Sequence, residues 1–350
     1  QLVWQRALLT IYGSNVESVA MVVAAFLAGL GIGSIVGGWI SKSARAPLVL
    51  LFGLAEIGVG AYGLISLKLF DAVGAMTSTQ AHGLTTGALV FLLVFLPTLL
   101  MGATLPMLVA HQVRDTAHVG QSVSRLYFVN TLGAALGAFI AAHWLLGSFG
   151  MGGTTRIAAC LNAAAALIVL LALRKPAAEE AGHATNAPQS RCEISFRTAL
   201  CWSALSGFLA LSWEIIWSRV FNFASASRAP VFGYMLGSYL LGLALGSLLS
   251  PRLLAQSGSL RAKLARWVLI SSAAGFLVAP STAIFARQVF WECGYLFVIT
   301  AGALIGLTFP LLCHAAIPPG QNTGSQLSRL YLANIIGSGA GSLLTGFLFM

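Results

Sequence analysis

Charge is what this sequence has least of. Asp, Glu, Lys and Arg make up 8% of its 350 residues, and only 9 are acidic. An ordinary soluble domain carries about 25% charged residues. So few charges cannot cover a soluble globule of this size, and they exclude a disordered chain and a coiled coil as well. Cysteine is also sparse: Cys160, Cys192, Cys201, Cys293 and Cys313 are scattered, with no C-x-x-C pair. That spacing offers neither a disulfide framework nor a zinc site. No Ser-His-Asp arrangement, paired carboxylates or metal-ligand spacing stands out. The glycine-rich stretches (Gly29, Gly31 and Gly33; Gly150, Gly152 and Gly153) lie within or beside apolar runs, outside any βαβ context, so no cofactor is expected.

What the chain has in quantity is apolar surface: 58% hydrophobic residues and a mean hydropathy of +0.88. Apolar runs of about 20 residues recur, each long enough to cross a bilayer as a helix. The expectation is an all-α, polytopic membrane protein whose main partner is lipid. Spans are expected at 1–12, 16–40, 46–68, 84–111, 122–147 and 152–174. After a polar linker over 175–197 they resume at 198–222, 229–250, 264–285, 288–316 and 326–350. The chain opens on Gln1 and ends at Met350 inside an apolar run, so the first and last helices are expected to be trimmed.

Loop charge sets an expected orientation. Lys42 and Arg45, Arg114, the linker residues Arg174, Lys175, Arg191 and Arg197, and then Arg252, Arg261, Lys263 and Arg266 fall in alternate loops. The intervening loops are charge-poor. The basic loops and the linker are therefore expected on the cytoplasmic side of a plasma-type (bacterial inner) membrane. The net charge of +10 follows from this asymmetry, not from a nucleic-acid partner.

The sequence also repeats itself. Trp4-Gln-Arg6 recurs as Trp217-Ser-Arg219, and Gly29-Leu-Gly-Ile-Gly33-Ser34 recurs as Gly242-Leu-Ala-Leu-Gly246-Ser247, both 213 residues on. Gly102-Ala-Thr-Leu-Pro106 recurs as Gly306-Leu-Thr-Phe-Pro310, and Ser124-Arg-Leu-Tyr127 as Ser328-Arg-Leu-Tyr331, both 204 residues on. The same offset pairs Asn130 with Asn334, Gly133 with Gly337 and Gly137 with Gly341. Both copies have the same expected orientation, so the repeat is parallel. The expected organisation is two parallel six-helix halves, 1–174 and 198–350, joined by the linker, which is the plan of major facilitator transporters.

The stretches VWQRALLTIYGS, AAFLAGLGIGSIVGGWI, LAEIGVGAYGL, LPTLLMGATLPML and SRLYFVNTLGAALGA, with their second-half copies, resemble the membrane domain of fused major facilitator/spermidine synthase-like proteins. In that family a soluble spermidine-synthase-like domain usually follows the membrane helices. The resemblance therefore implies that a catalytic domain could follow Met350, and that the solute could be polyamine-like. No aminopropyl transfer can be assigned to the residues present. Facilitators also carry a G-x-x-x-D-R/K-x-G-R-type loop between the second and third helices; here its acidic position reads Ser41.

A few polar residues within the spans are candidates for a site. Glu56 lies at the middle of the third helix, where an ionised carboxylate must be paired, neutral or next to water; its repeat position is Leu269. It is either bonded to a neighbouring helix or a group that binds a proton or cation. Glu214, in ALSWEIIWSRVF, aligns with Gln1 and is the second candidate. Asn130 and Asn334 complete the set expected to bind solute. Arg125 and Arg329 are expected either to anchor at the interface or to bond carbonyls freed near Pro106 and Pro310, with Tyr127 and Tyr331 completing a gate. Trp4 and Trp217, with Arg6 and Arg219, are expected as interface anchors. The glycine ladders allow close helix packing, or sliding during a transport cycle.

These readings point to handling of a small cationic solute by alternating access, through the cleft between the halves. The rivals are a membrane anchor or feeder for a soluble aminopropyltransferase-like domain, and a structural subunit of a membrane complex.

Overall fold

The computed structural model describes residues 2–12, 16–43, 45–77, 83–116, 118–173, 193–226, 228, 230–254, 259–286 and 290–347, with no strand among them. The helices are α1 (Leu2–Tyr12), α2 (Val16–Ile40), α3 (Leu48–Thr77), α4 (Gly83–Thr116), α5 (Val119–Ile140) and α6 (Leu146–Leu173). They continue as α7 (Phe196–Ala224), α8 (Val231–Leu254), α9 (Leu260–Ala286), α10 (Gly294–Gly306), α11 (Thr308–Ala316) and α12 (Thr323–Phe347). Eight helical segments among the described residues are long and apolar enough to cross a membrane. The protein is a multi-pass, all-α membrane protein.

The spans differ from the expected ones where hydropathy and helicity part company. Helix α3 runs on to Thr77 through Lys68 and Asp71, because polar residues end an apolar run without ending a helix. The expected break between 147 and 152 narrows to one residue. A π-turn (Ala141–Leu145) carries α5 into α6, and Gly150 alone leaves helical geometry, at φ 62° and ψ −172°. That region is essentially reserved for glycine. The expected span 288–316 divides into a 3-10 turn (Trp291–Cys293), α10 and α11. Pro310 brings no N–H to the carbonyl of Gly306, where α10 ends. Helix α4 passes Pro97 and Pro106 without interruption.

The chain forms two compact units. One gathers residues 1–117, 149–191 and 318–332. Its α2–α4 seam is backbone against backbone: a Cβ on Gly33 would fall on the Leu99 carbonyl, and one on Gly102 would fall on that of Leu30. Trp4, Leu8, Tyr62, Phe70, Val90 and Val94 form its main cluster. The other unit gathers residues 118–148, 192–317 and 333–350. Its α8–α10 seam repeats the device with Gly246 against Ala303 and Gly306 against Leu243. Trp217, Phe221, Met235, Tyr239, Val278 and Val298 form its core.

Trp4 and Trp217 are therefore not belt residues. Trp4 is 7% exposed and Trp217 0%. The Trp4 indole donates to Ser66 Oγ at 3.0 Å and that of Trp217 to the Gly275 carbonyl at 3.1 Å. Small residues at 66 and 275 open room for an indole, which turns an expected surface anchor into a core pin.

Most buried hydroxyls bond within their own helix. Ser34, Ser66, Thr98, Ser247, Ser250, Thr282 and Ser328 donate to carbonyls three or four residues back, at 2.8 to 2.9 Å.

Of the expected linker, residues 175–192 lie outside the described residues. Its end is docked: Glu193 Oε2 accepts the Leu260 N–H that opens α9, at 2.9 Å, and Ile194 N bonds the Ala315 carbonyl at 3.4 Å. Ser195 then caps α7 by accepting from Thr198 N.

Candidate functional site

Glu214 sits on the face of α7 that also carries Trp217 and Phe221, both completely buried. Residues three and seven positions along a helix return to nearly the same side, so the carboxylate is carried inward with the core. It lies deep among the helices yet keeps part of its surface accessible. The Tyr239 phenol of α8 lies within electrostatic reach of Glu214 and of the Tyr127 phenol on α5. Tyr239 itself packs edge-on against Trp217, with ring centroids 5.6 Å apart at 76°. Tyr127 lies against Phe309 at the start of α11, 5.8 Å between centroids. Among the described residues no basic side chain pairs with Glu214, and no hydrogen bond reaches it. The Glu214 carboxylate, the Trp217–Tyr239 ring pair and the Tyr127–Phe309 ring pair thus belong to one unit.

Glu56 belongs to the other unit. It is half-buried on the side of α3 that bears Gly53 and Gly60. That side meets α6: a Cβ on Gly53 would lie 3.7 Å from Val169 Cγ1, and one on Gly60 would lie 3.3 Å from Asn162 Cβ. The carboxylate therefore lies beside the α3–α6 seam. Leu269, its repeat counterpart on α9, is 72% exposed.

The two asparagines have parted roles. Asn334 is half-buried and donates through Nδ2 to the Ser203 carbonyl and to Ser206 Oγ, both at 3.1 Å. It ties α12 to α7, beside the close approaches of Gly337 to Ala204 and Gly341 to Phe208. Asn130 is exposed, and a Cβ on Gly133 or Gly137 would meet nothing within 4 Å. Shifted back by 213, the repeat offset, Ala204 and Phe208 map to positions outside the 350 residues.

Arg125 and Arg329 are exposed, and the expected bonds to carbonyls near Pro106 and Pro310 are absent among the described residues. Pro106 and Pro310 are both buried, and Tyr331 is half-buried. The arginine that joins elements is Arg114, whose guanidinium donates to the carbonyls of Ser41 and Ser43 at 2.8 and 2.9 Å. It holds the turn after α2 through backbone oxygens at the point where Ser41 replaces an acid. His143, isolated in the sequence, lies in the π-turn with Nδ1 2.7 Å from Tyr234 Oη. Nothing in the sequence links these pairs, whose partners lie 71 to 91 residues apart. Among the described residues no group of three His, Cys, Asp or Glu side chains could hold a metal ion.

In fold the chain is similar to a bacterial homologue of the iron transporter ferroportin, solved in an outward-facing state with soaked iron. The TM-score is 0.50 at 17% identity, over 98% of this chain and 88% of that one. The likeness is one of fold alone. No protein-family model matches the chain, and no curated protein does.

Proposed function

We propose that the protein transports a small cationic solute across the membrane by alternating access. The observation that carries this reading is Glu214: a carboxylate deep in a helical unit, partly accessible, with no basic partner among the described residues. A charge in that position costs several kcal/mol unless something compensates it, and a passing cation does so reversibly. The fold, similar to that of a known transporter, supports the reading. That neighbour was solved with soaked iron, whereas among the described residues of this chain no three His, Cys, Asp or Glu side chains group together, which favours an organic cation.

The repeated motifs support placing the chain with the fused major facilitator/spermidine synthase-like proteins, and a polyamine-like solute fits that placement. Loop charge supports a bacterial inner-membrane location with residues 175–197 cytoplasmic, between halves 1–174 and 198–350. The test is uptake of radiolabelled spermidine and shorter amines by vesicles containing the purified protein. Saturable uptake is expected, and Glu214→Gln should abolish it. Vesicles that accumulate none of the amines would overturn the reading and leave the helices as an anchor for a soluble domain.

A further inference from the structure

Helices α7, α8 and α9 belong to one unit and include the candidate spans Phe196–Ala224, Val231–Leu253 and Leu260–Ala286. Two bonds gather one end of all three. Glu193, three residues ahead of α7, accepts the Leu260 N–H at 2.9 Å and ties the start of α7 to the start of α9. Lys263 Nζ donates to the Leu253 carbonyl at 3.0 Å and ties the start of α9 to the end of α8. Arginines stand at each of these joints. Arg261 adjoins Leu260, Arg252 adjoins Leu253, and Arg197 lies in the first turn of α7, two residues past its cap Ser195. All three are exposed, and Arg266 adds a further cation in the second turn of α9.

Among the described residues these cations have no counter-charge. The described acids of the unit are Glu193, Glu214 and Glu292. Glu292 lies past the far end of α9, Glu214 lies well along α7, and Glu193 is engaged with a backbone N–H. No described residue bonds or pairs with Arg197, Arg252 or Arg261. Residues 175–192 offer no net charge either, since Lys175 and Arg191 balance Glu179 and Glu180. The helices add to the excess. The starts of α7 and α9 are positive dipole ends, where an acid is favoured and an arginine disfavoured, yet neither first turn carries an acid. Local helix preference is thus overruled twice at one place, as happens where function requires it.

The chemistry of the missing anion follows from depth and from the type of cation. The arginines lie at the ends of membrane spans, at headgroup level. Trp202 and Trp267, both half-buried, follow within two turns, as interfacial indoles do. Anchoring at an interface needs positive charge alone, which lysine supplies as well. Here the lysine is spent on a carbonyl, and the free cations are guanidinium forks, whose donors match the paired oxygens of a phosphate. Leu205 and Leu269, each eight residues past an arginine, are 46% and 72% exposed and offer apolar flanks to acyl chains. A soluble anion would leave those flanks unused. A zwitterionic headgroup brings its own ammonium into a field that is already positive.

We propose that Arg197, Arg252 and Arg261 hold the phosphate headgroup of an anionic phospholipid where α7, α8 and α9 share an end. The site is independent of the solute.

The test is native mass spectrometry of the whole protein in neutral detergent, with dioleoylphosphatidylglycerol or dioleoylphosphatidylcholine added. At least one phosphatidylglycerol should be retained per chain, at least about fivefold more tightly than phosphatidylcholine. Arg197→Gln with Arg261→Gln should remove that preference and leave thermal unfolding nearly unchanged. Arg219→Gln with Arg228→Gln, which takes as much charge from the opposite ends of α7 and α8, should leave the preference intact. Should the first pair fail to fold, Arg252→Gln and the preference of the unaltered protein still decide. Equal retention of the two lipids, equal losses in the two pairs, or a preference that survives Arg197→Gln with Arg261→Gln would overturn the proposal. Displacement of the lipid by excess sodium phosphate would overturn it too, and leave a site for a soluble anion.

Discussion

The hydroxyl of Ser124 on α5 donates to the carbonyl of Ser247 on α8. The repeat counterparts of these residues, Ser328 and Ser34, are bonded with the roles exchanged: Ser34 Oγ lies 3.4 Å from the Ser328 carbonyl, joining α2 to α12. The correspondence extends to the helix starts, where Gly120 lies against His314 and its counterpart Gly324 against Ala110. Each contact pairs a helix of one sequence repeat with a helix of the other. Cysteine pairs at 34/328 and at 124/247, in a background without other cysteines, should therefore both cross-link with a short bifunctional reagent. A protease site placed within 175–192 gives the readout, because only cross-linked chains stay joined after cutting. A pair that never links would break the repeat relation.

Gly337 and Gly133 are sequence equivalents with opposite surroundings. A Cβ on Gly337 would fall on the Ala204 carbonyl, whereas one on Gly133 would meet nothing within 4 Å. Gly337→Leu should destabilise the protein by about 1–3 kcal/mol or more, as overpacking does. Gly133→Leu should stay within about 0.5 kcal/mol. Thermal unfolding in detergent separates the two, and equal effects would contradict the asymmetry.

Trp217→Ala should cost about 3–5 kcal/mol, the range for emptying a large core site. An interface anchor would lose far less. Trp4→Phe should lose chiefly the bond to Ser66, on the order of 1 kcal/mol. Denaturation midpoints for the two variants test their core positions.

Glu56→Gln preserves shape and should leave thermal unfolding unchanged. Through its place at the α3–α6 seam, it is expected to remove the dependence of amine uptake on a pH gradient. Uptake with unaltered gradient dependence would exclude Glu56 from the transport cycle.

Gly150 holds φ 62° and ψ −172°, a conformation that costs a residue with a Cβ about 1–3 kcal/mol. Gly150→Ala should lower the unfolding midpoint accordingly, while Gly147→Ala, two residues inside the helical run, should not. Equal behaviour would mean that the break is not conformationally demanding.

The helices were legible because apolar length and helicity coincide: α2 begins and ends where its hydrophobic run does. The glycine-on-carbonyl seams were also legible, since spacing by four places small residues on one face. Trp4 and Trp217 were misread because an aromatic near the end of a span looks the same whether lipid or a small residue receives it. What decides is Ser66 or Gly275, 62 and 58 residues away. Arg125 drew notice by recurring in Ser-Arg-Leu-Tyr, yet Arg114, with no motif around it, makes the inter-element bonds. Glu214 stood out by its charge, whereas the Trp217–Tyr239 and Tyr127–Phe309 ring contacts in the same unit had no pattern to announce them.

The hydroxyls that bond back along their own helices bear on how this chain enters a membrane. A span whose Ser and Thr side chains are already paired presents lipid with few unsatisfied donors. Ser34, Thr98, Ser247 and Thr282 need no neighbour to be accommodated, so α2, α4, α8 and α9 can each leave an insertion channel singly, in the order of synthesis. The bonds that do need a neighbour, Trp4 to Ser66 and Asn334 to Ser206, join helices separated by 62 and 128 residues and can form only after both have been inserted. The Trp4 bond thus waits on α3, and the Asn334 bond waits on α12.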